Sequence, residues 1–225
     1  MDSIQTALFT FKKLKNYQYN FTIAYNKTLH YLKLSFDDKD FRHIIGLHYL
    51  NDIDIPRTPN QLFSKIENNK INDDYLGKSN FYLYVENNDV IVKNHIYYFR
   101  FIEEFLDSPN LVFKYVKYLN KNSMINADYM ITSTFNHIRA HIFMKQRRNT
   151  ENIYCICSFF IPQHFSYTGQ KAYWYYKSKI YLPSGEEQIL INKGQNGCYD
   201  SHRGIKNNLC CFKIGHPVPD VLLHS

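Results

Sequence analysis

The chain has 225 residues, 44% hydrophobic and 21% charged, which is the composition of an ordinary globular protein with one domain, or one domain and an appendage. The net charge is +7, and residues 111–181, with ten Lys and Arg against two Asp and Glu, carry a net charge of +8, which indicates a surface for a polyanion such as nucleic acid. We find no signal-peptide pattern, no run of roughly 18 apolar residues and no disulfide framework, so we expect a reduced, cytoplasmic location without a membrane partner.

The first 110 residues are predicted to be mainly helical. Apolar residues recur at helical spacing in several segments, and Asp, Thr, Asn and Pro residues stand near their starts. The predicted helices are residues 2–15, 41–50, 62–66, 73–76 and 91–107. Residues 17–24 and 28–36 instead alternate polar and apolar side chains, which predicts a β-hairpin turning around Asn26 and Lys27.

Beyond residue 110 the apolar pattern changes to a period of two, which predicts strands. The predicted strands are residues 111–118, 126–135, 138–146, 152–160 and 173–182. Short turns between them favour an antiparallel, meander-like order. We therefore predict an α+β fold, in which N-terminal helices with one hairpin precede a four- to five-stranded antiparallel sheet. Residues 1–183 would form this domain, and the glycine-rich residues 184–225 would form a loop-rich appendage.

Residues 41–50 are the most informative segment, because they place two histidines and a glycine in an otherwise apolar helix. His43 is a candidate general acid or base, or else a helix histidine bonded to a backbone carbonyl. His48 lies five residues further on, about 140° around a regular helix, so the two do not form an i, i+4 metal pair. No Glu stands between them in the zinc-protease pattern, which argues against that class.

The tail contains the one set of residues that could bind a metal. Cys198, His202, Cys210, Cys211 and His216 are suitable zinc ligands, but they lack the paired C-x-x-C spacing of zinc sites, so we predict no metal and no cofactor. Cys155 and Cys157 are expected to be buried thiols. The sequence also lacks a Walker loop, a G-x-S-x-G elbow and a dinucleotide fingerprint, which argues against nucleotidases, serine hydrolases and dehydrogenases.

The order of several short motifs resembles the phage-associated barnase–EndoU–colicin E5/D–RelE-like (BECR-fold) nuclease domains, and most of all their fourth class. The matching segments are the F-x-H-x-x-G-L box within residues 41–50, and residues 95–106, 125–129, 158–160 and 167–170. The resemblance covers roughly residues 15–182. It implies an RNase fold with an N-terminal helical part and an antiparallel sheet, and a role in phage or mobile-element conflict. It also implies an arginine in the long helix where this chain has His95, unless Arg100 takes that place.

We predict a metal-independent endoribonuclease, a toxin or effector with RNA as substrate and an antitoxin or immunity protein as partner. Cleavage without a metal requires a base, an acid and donors to the phosphate. The candidate catalytic residues are His43, Ser158, Tyr167, Gln170 and Lys177. The candidate RNA-binding residues are Arg139, His141, Lys145, Arg147, Arg148 and Lys179. Strand alternation would gather several of them on one sheet face, although a polar face can equally be a solvent face.

Two other functions remain open from the sequence. The chain could be a non-catalytic nucleic-acid- or protein-binding module in phage defence or counter-defence, because a nuclease-like scaffold can persist without its chemistry. It could also be a structural protein of a mobile element, with an incidental basic face. Incubation with RNA, with and without a chelator, separates the first prediction from both.

Overall fold

The computed structural model describes residues 2–83, 85–86, 89–108, 110–121, 123–162 and 167–194. Its helices are α1 (Ser3–Leu14), α2 (Asp38–Ile44), α3 (Pro59–Glu67), α4 (Asp73–Leu76), α5 (Ile91–Tyr98) and α6 (Ile102–Asp107). Its strands are β1 (Tyr17–Tyr25), β2 (Thr28–Leu34), β3 (Val85–Glu86), β4 (Asp89–Val90), β5 (Leu111–Tyr115), β6 (Tyr129–Phe135), β7 (Ile138–Gln146), β8 (Ile153–Phe160), β9 (Gly169–Tyr181) and β10 (Glu186–Asn192). Three short 3₁₀ turns are Leu47–Tyr49, Phe99–Phe101 and Lys117–Leu119.

The large sheet closes on itself. Its strand order is β1-β2-β8-β7-β6-β5-β9-β10, and a further pairing of β1 with β9 makes a closed, seven-stranded barrel. All pairings are antiparallel except β2 with β8, where Lys33 lies opposite Ile153, so the barrel is mixed. Strand β9 is long enough to pair with β5 through its first four residues and with β10 further along the same edge.

The predicted fold class is therefore wrong. The chain does not place N-terminal helices before a separate four- to five-stranded antiparallel sheet, because the N-terminal hairpin is part of the barrel. Strand β1 pairs with β9 and strand β2 pairs with β8, each across more than a hundred residues of sequence. Alternation along one segment shows that it is a strand, but does not show which distant strand will be its neighbour.

Most of the individual elements form where the sequence predicts them. The hairpin turns at Asn26 and Lys27, both with positive φ. The predicted helix 91–107 is interrupted by the 3₁₀ turn Phe99–Phe101, and the predicted helix 41–50 ends at Ile44. Strand β10 lies within the predicted appendage; the proposed domain boundary at residue 183 stays a prediction.

Helix α6 packs against the interior of the barrel and reaches strands on different sides of it. The hydroxyl of Tyr19 on β1 donates to Asp107 over 2.7 Å, and Lys179 on β9 forms ion pairs with Glu103 and Asp107. Phe105 contacts the ring of Phe159 on β8 at 6.0 Å. These contacts join the helices and the barrel interior into one core.

Helix α2 is fixed to the barrel by a half-buried ion-pair network. Asp37 caps the helix and accepts from Arg147 at the end of β7, with Nη1 and Oδ2 3.0 Å apart. The same guanidinium donates to Asp40 within the helix over 3.1 Å and to the backbone carbonyl of Ser35. Because Arg147 binds several acceptors at once, it determines where α2 lies on the sheet.

Strand β8 contains a bulge that decides which of its side chains face the core. Ile156 pairs with Met144 but Ser158 pairs with Phe143, so Cys157 has no partner on β7. Beyond this point the alternation is reversed, and Phe159 joins Ile156 in the core. Simple alternation would place Ser158 on the same face as Ile156, but the one extra residue of the bulge shifts every later side chain to the other face.

Within the described residues, no helix has the length and apolar character needed to cross a lipid bilayer.

Candidate active site

Two histidines meet beside β8. Helix α2 ends before Gly46, whose φ of 79° turns the chain into the 3₁₀ turn that carries His48. The ring of His48 thereby stacks on the ring of His43, with centroids 4.1 Å apart and an interplanar angle of 22°. An unbroken helix would have placed the rings on different faces, so the break at Gly46 creates the pair.

His43 is held by the sheet while its side chain remains exposed. Its ring lies close enough to the backbone carbonyl of Cys157, at the bulge of β8, for that carbonyl to favour the protonated form. Partial burial lowers the pKa of His43 below its ordinary value, and the charge of Arg42 adds to this effect, whereas the Cys157 carbonyl and Asp40 oppose it. At neutral pH the ring is therefore mainly uncharged. A neutral imidazole has one N–H donor, and its other nitrogen keeps a lone pair that can accept a proton.

His48 is more buried and is also neutral. Burial, followed by the charges of His43 and Arg42, lowers its pKa to about 4, and the nearby backbone carbonyl of Arg42 opposes this shift. Its Nδ1 atom is buried and has no hydrogen-bond partner among the described residues. Tyr49 covers the other side of the ring, with centroids 3.9 Å apart.

Two further histidines lie behind this pair and have the properties of core residues. His95 is buried, its ring lies 6.0 Å from that of Phe160, and burial lowers its pKa to about 3. His141 is bonded to the hydroxyl of Thr132 over 3.0 Å, and burial lowers its pKa to about 4. The four histidines do not converge: no group of three or more His, Cys, Asp or Glu side chains in the described ranges is arranged to hold a metal.

A pocket of about 540 Å³ opens next to the histidine pair. Its lining consists of Arg42, His48 and six residues between Leu50 and Arg57. Burial, and then the charge of Arg57, lowers the pKa of Arg42, so the two guanidinium groups influence each other across the pocket. The pocket thus combines a half-buried neutral histidine, His48, with two guanidinium groups.

The structure brings three of the five predicted catalytic residues to this face of the sheet. Ser158 directly follows Cys157, the residue that holds His43. The ring of Tyr167 packs 5.1 Å from that of Phe160 and belongs to the same outer cluster as Cys157. His43, Ser158 and Tyr167 therefore border one region of β8.

The other two predicted catalytic residues lie elsewhere, on β9. Lys177 is fully buried inside the barrel, where Nζ donates to the backbone carbonyl of Ser108 over 3.2 Å and burial lowers its pKa to about 8. Gln170 accepts a hydrogen bond from the hydroxyl of Tyr25. A shift in the pairing of β9 with β1 leaves Tyr175 unpaired, and this bulge turns Lys177 towards the interior. The catalytic assignments of both residues stay predictions.

The predicted RNA-binding residues fall into two groups. Arg139 and Arg148 are exposed, and Lys145 is partly exposed. Arg147 and Lys179 are bound to carboxylates, and His141 is buried beneath Tyr167, so these three side chains already have structural partners. The candidate zinc ligands of the tail lie outside the described residues. Cys155 and Cys157 are half-buried free thiols, and burial raises the pKa of Cys157 to about 12.

Sequence reasoning did not select Arg42 or Arg57. Arg42 stands next to His43 in the F-x-H-x-x-G-L box. This position beside a candidate catalytic histidine is the sequence feature that could have identified it. Arg57 is separated from it by the irregular segment after Leu50, so no periodic pattern connects the two. Arg100, the residue expected to replace the arginine missing at His95, instead stacks on Tyr97 and donates to its backbone carbonyl.

The family model described as phage-Barnase-EndoU-ColicinE5/D-RelE like nuclease4 matches residues 3–191. A match of this length includes every strand of the barrel as well as the histidine pair. The chain belongs to this phage-associated nuclease family, as its motifs had predicted. No curated protein and no solved structure matches the chain.

Proposed function

We propose that this protein is an endoribonuclease that cleaves RNA by attack of a 2′-hydroxyl group, without a metal ion. The observation that carries the proposal is the position of His43, an exposed histidine beside the bulge of β8 whose ring stacks on that of His48 and whose pKa is lowered by partial burial. An oriented imidazole with a free lone pair is the commonest general base in proteins. Membership of a nuclease family supplies the reaction class.

In the proposed reaction His43 takes the proton of a ribose 2′-hydroxyl. The 2′-oxygen then forms a bond to the adjacent phosphorus, and the bond from phosphorus to the 5′-oxygen breaks. The products are a 2′,3′-cyclic phosphate and a 5′-hydroxyl end, which takes its proton from solvent. The charge that builds up on the phosphate needs nearby donors, and Arg42, the neighbour of His43 in α2, is suited to this task.

We further propose that the enzyme acts in the cytoplasm as a toxin or effector in phage or mobile-element conflict, with an antitoxin or immunity protein as its partner. The phage association of the family supports this role. The net charge of +8 on residues 111–181 supports contact with a polyanion.

The proposal is tested by incubating the purified full chain with end-labelled RNA, with and without EDTA. We expect fragments that end in 2′,3′-cyclic phosphate in both conditions. The variants His43→Asn and His137→Asn, both at exposed histidines, then test whether cleavage depends on His43. His137 is the control because it lies in the turn between β6 and β7. Cleavage that needs a divalent ion, or that survives in His43→Asn, contradicts the mechanism.

A non-catalytic binding module is the second candidate. One observation favours it: the bond from His43 to the Cys157 carbonyl is also what a purely structural helix histidine would make. In that case RNA would bind to the basic face without being cut. Intact RNA that is nevertheless shifted in a binding assay would support this candidate.

A further inference from the structure

The outer face of strands β2, β1 and β9, here called the tyrosine face, is rich in tyrosine and free of acidic residues. The three strands are neighbours in the order β2-β1-β9. None of them contains an Asp or a Glu, whereas β2 contains Lys33 and β9 contains further lysines. A sheet face that combines aromatic rings with positive charge is typical of proteins that bind single-stranded nucleic acid.

Two tyrosines of this face point away from the core. Leu32 on β2 and Trp174 on β9 belong to the buried core, so their chain neighbours Tyr31 and Tyr173 face outward. Both tyrosines are 55% exposed. Their rings are therefore accessible to a ligand that lies on the sheet.

Small side chains of β1 lie between the two tyrosines. Thr22 is opposite Tyr31, and Ala24 is opposite Tyr173. Because neighbouring strands are about 4.8 Å apart, β2 and β9 lie about 10 Å from each other across β1. The two rings thus stand on either side of a strip of small side chains, where each ring can stack on a different base of the same nucleic-acid strand.

Two lysines supply positive charge next to these rings. Lys33 and Lys171 are exposed, and strand alternation places them on the same face as Tyr31 and Tyr173. Nζ of Lys171 lies 5.3 Å from the ring centre of Tyr173, so this ring presents a face, and not only an edge, above the sheet. An exposed cation beside an open aromatic ring matches a nucleotide, whose phosphate meets the cation while its base stacks on the ring.

Strand β10 limits the tyrosine face on one side. It carries two glutamates, and Glu187 accepts a hydrogen bond from the hydroxyl of Tyr176 over 2.9 Å. A polyanion is repelled by this strand and is directed along β9, β1 and β2. Strand β2 in turn pairs with β8, beside which His43 lies. A strand of RNA that follows the tyrosine face therefore reaches the strand next to the candidate active site.

We infer that the tyrosine face binds single-stranded RNA, with Tyr31 and Tyr173 stacking on two bases and Lys33 and Lys171 contacting phosphates. The choice of RNA as the polyanion rests on the proposed function, whereas the stacking and the charge contacts rest on this face alone. The face takes no part in proton transfer, which is the task of His43.

The test measures the binding of a labelled 2′-O-methyl oligouridine to the full chain. This RNA cannot be cleaved through its 2′-position, so its binding is independent of nuclease activity. We expect Tyr31→Ala and Tyr173→Ala each to weaken binding by roughly 5- to 150-fold, the effect of losing one base–aromatic stack. Tyr173→Phe keeps the ring and should bind as tightly as the unmodified chain. The control is Tyr97→Ala, which removes a tyrosine that is 42% exposed on α5.

The charge contacts are tested by Lys171→Gln over a salt series. This variant should weaken binding at low salt and reduce the slope of log affinity against log salt by about 0.7, the value for one phosphate contact on a single strand. Thermal unfolding of every variant shows whether the protein that is compared is folded. A Lys171→Gln protein with an unchanged slope would overturn the phosphate contact.

Three results would overturn the inference as a whole. One is an affinity that is unchanged in Tyr31→Ala and Tyr173→Ala, or lowered equally by Tyr97→Ala. Another is a duplex RNA that binds as tightly as the single strand, because paired bases are not available for stacking on side chains. The third is a chain that self-associates, with both alanine variants abolishing the association but not RNA binding; the face would then be an interface between copies.

RNA cleavage by the same variants separates this inference from the proposed function. Binding that depends on the two tyrosines in a protein that cuts no RNA would support the tyrosine face and overturn the nuclease. Cleavage that depends on His43, together with oligonucleotide binding that is unchanged in both alanine variants, would support the nuclease and overturn the tyrosine face. If both proposals hold, Tyr173→Ala should raise the KM for RNA and leave kcat unchanged.

Discussion

The rings of His43 and His48 lie 4.1 Å apart because Gly46 breaks the helix between them. His43 faces solvent, while His48 is enclosed between His43 and Tyr49. The stacked partner and the Cys157 carbonyl restrict the orientation of the His43 ring. A histidine restricted in this way loses little further freedom on meeting a substrate, which is what a proton-transfer group requires.

Replacing His43 by Asn should reduce RNA cleavage more than stability. If His43 transfers a proton in the transition state, activity should fall by roughly 10²–10⁴-fold. The melting temperature should change little, because the side chain is exposed. Cleavage rates and thermal unfolding are measured on the same preparation, with His137→Asn as the control. A destabilised variant that cuts RNA at full rate per folded molecule would leave His43 with a structural role only.

Replacing Gly46 by Ala should damage both the fold and the site. Its φ of 79° costs an alanine about 1–2 kcal/mol. A Cβ at this position would also lie only 3.0 Å from Nδ1 of His95, which is packed and cannot move freely. Gly185 is the matched control, since its φ is 74° but nothing lies within 4 Å of its Cβ position.

Urea unfolding of Gly46→Ala and Gly185→Ala isolates the contact with His95. Both variants should lose about 1–2 kcal/mol of stability because alanine is strained at a positive φ. Gly46→Ala should lose about 1 kcal/mol more, because overpacking typically costs about 1–3 kcal/mol. Cleavage should fall in Gly46→Ala alone, since only this change displaces His48. Equal losses of stability in the two variants would show that the His95 contact has no effect.

Local sequence patterns predicted most strands and helices, but not the closure of the sheet. The hairpin β1–β2 was identified from alternation and from the turn at Asn26 and Lys27. Its pairing with β8 and β9 depends on distant segments, and a single strand pattern contains no information about them. The eighth strand, β10, lies in a segment whose glycines indicated loops.

Only part of the candidate site could be predicted, again because a local pattern does not show how distant segments pair. His43 was identifiable because a titratable group interrupts an apolar helix, and its bond to a backbone carbonyl was one of the two alternatives considered. The bulges at Cys157 and Tyr175 were not visible in the sequence, and each reverses the faces on which later side chains lie. Lys177 therefore points into the barrel, although simple alternation had placed it in a phosphate-binding face.

Arg147 and Arg148 should differ sharply when replaced by Gln. Arg147 is held by Asp37 and Asp40, and its side chain is only 11% exposed, so its loss leaves the buried carboxylate of Asp40 unpaired. We expect Arg147→Gln to lose about 3–5 kcal/mol of stability. Arg148 is exposed, and its loss should leave stability unchanged while reducing the salt dependence of RNA binding.

The two arginine variants are compared by denaturant unfolding and by RNA binding over a salt series. Because Arg147 holds α2 in place, the Arg147→Gln molecules that remain folded should also cleave RNA more slowly. The reverse pattern, with a stable Arg147→Gln protein and a destabilised Arg148→Gln protein, would contradict the observed ion pairs. If Arg148→Gln binds RNA with unchanged affinity at every salt concentration, this end of β7 does not contact RNA.

Removing strand β10 should weaken the barrel. A chain that ends at residue 183 lacks the partner of β9 between Tyr176 and Tyr181 and leaves that edge open. We expect a lower melting temperature and concentration-dependent association, measured by thermal unfolding and light scattering. A chain that ends at residue 194 retains β10 and serves as the control. A monomeric 1–183 chain with an unchanged melting temperature would confirm the boundary predicted from the sequence.

Stability should fall as the pH is lowered from about 6.5 towards 4, because buried histidines remain neutral in the folded protein. Burial lowers the pKa of His95 to about 3 and that of His141 to about 4, whereas both titrate near 6.5 in an unfolded chain. Above pH 6.5 both states are neutral and the histidines have no effect. Below it the unfolded chain binds protons that the folded chain cannot, so each histidine lowers the free energy of unfolding by up to about 1.4 kcal/mol per pH unit.

The replacement His95→Gln should reduce this pH dependence. Unfolding by urea is measured between pH 6.5 and 4.5, a range above the pKa values at which most carboxylates titrate. The variant will be less stable at pH 7, because the buried ring packs against Phe160, but its stability should fall less steeply with decreasing pH. His137→Asn, at an exposed turn, should keep the original slope. A His95→Gln protein with the same slope as the unmodified chain would mean that His95 becomes protonated without unfolding, and that the ring is less enclosed than its contacts with Phe160 and Gly46 indicate.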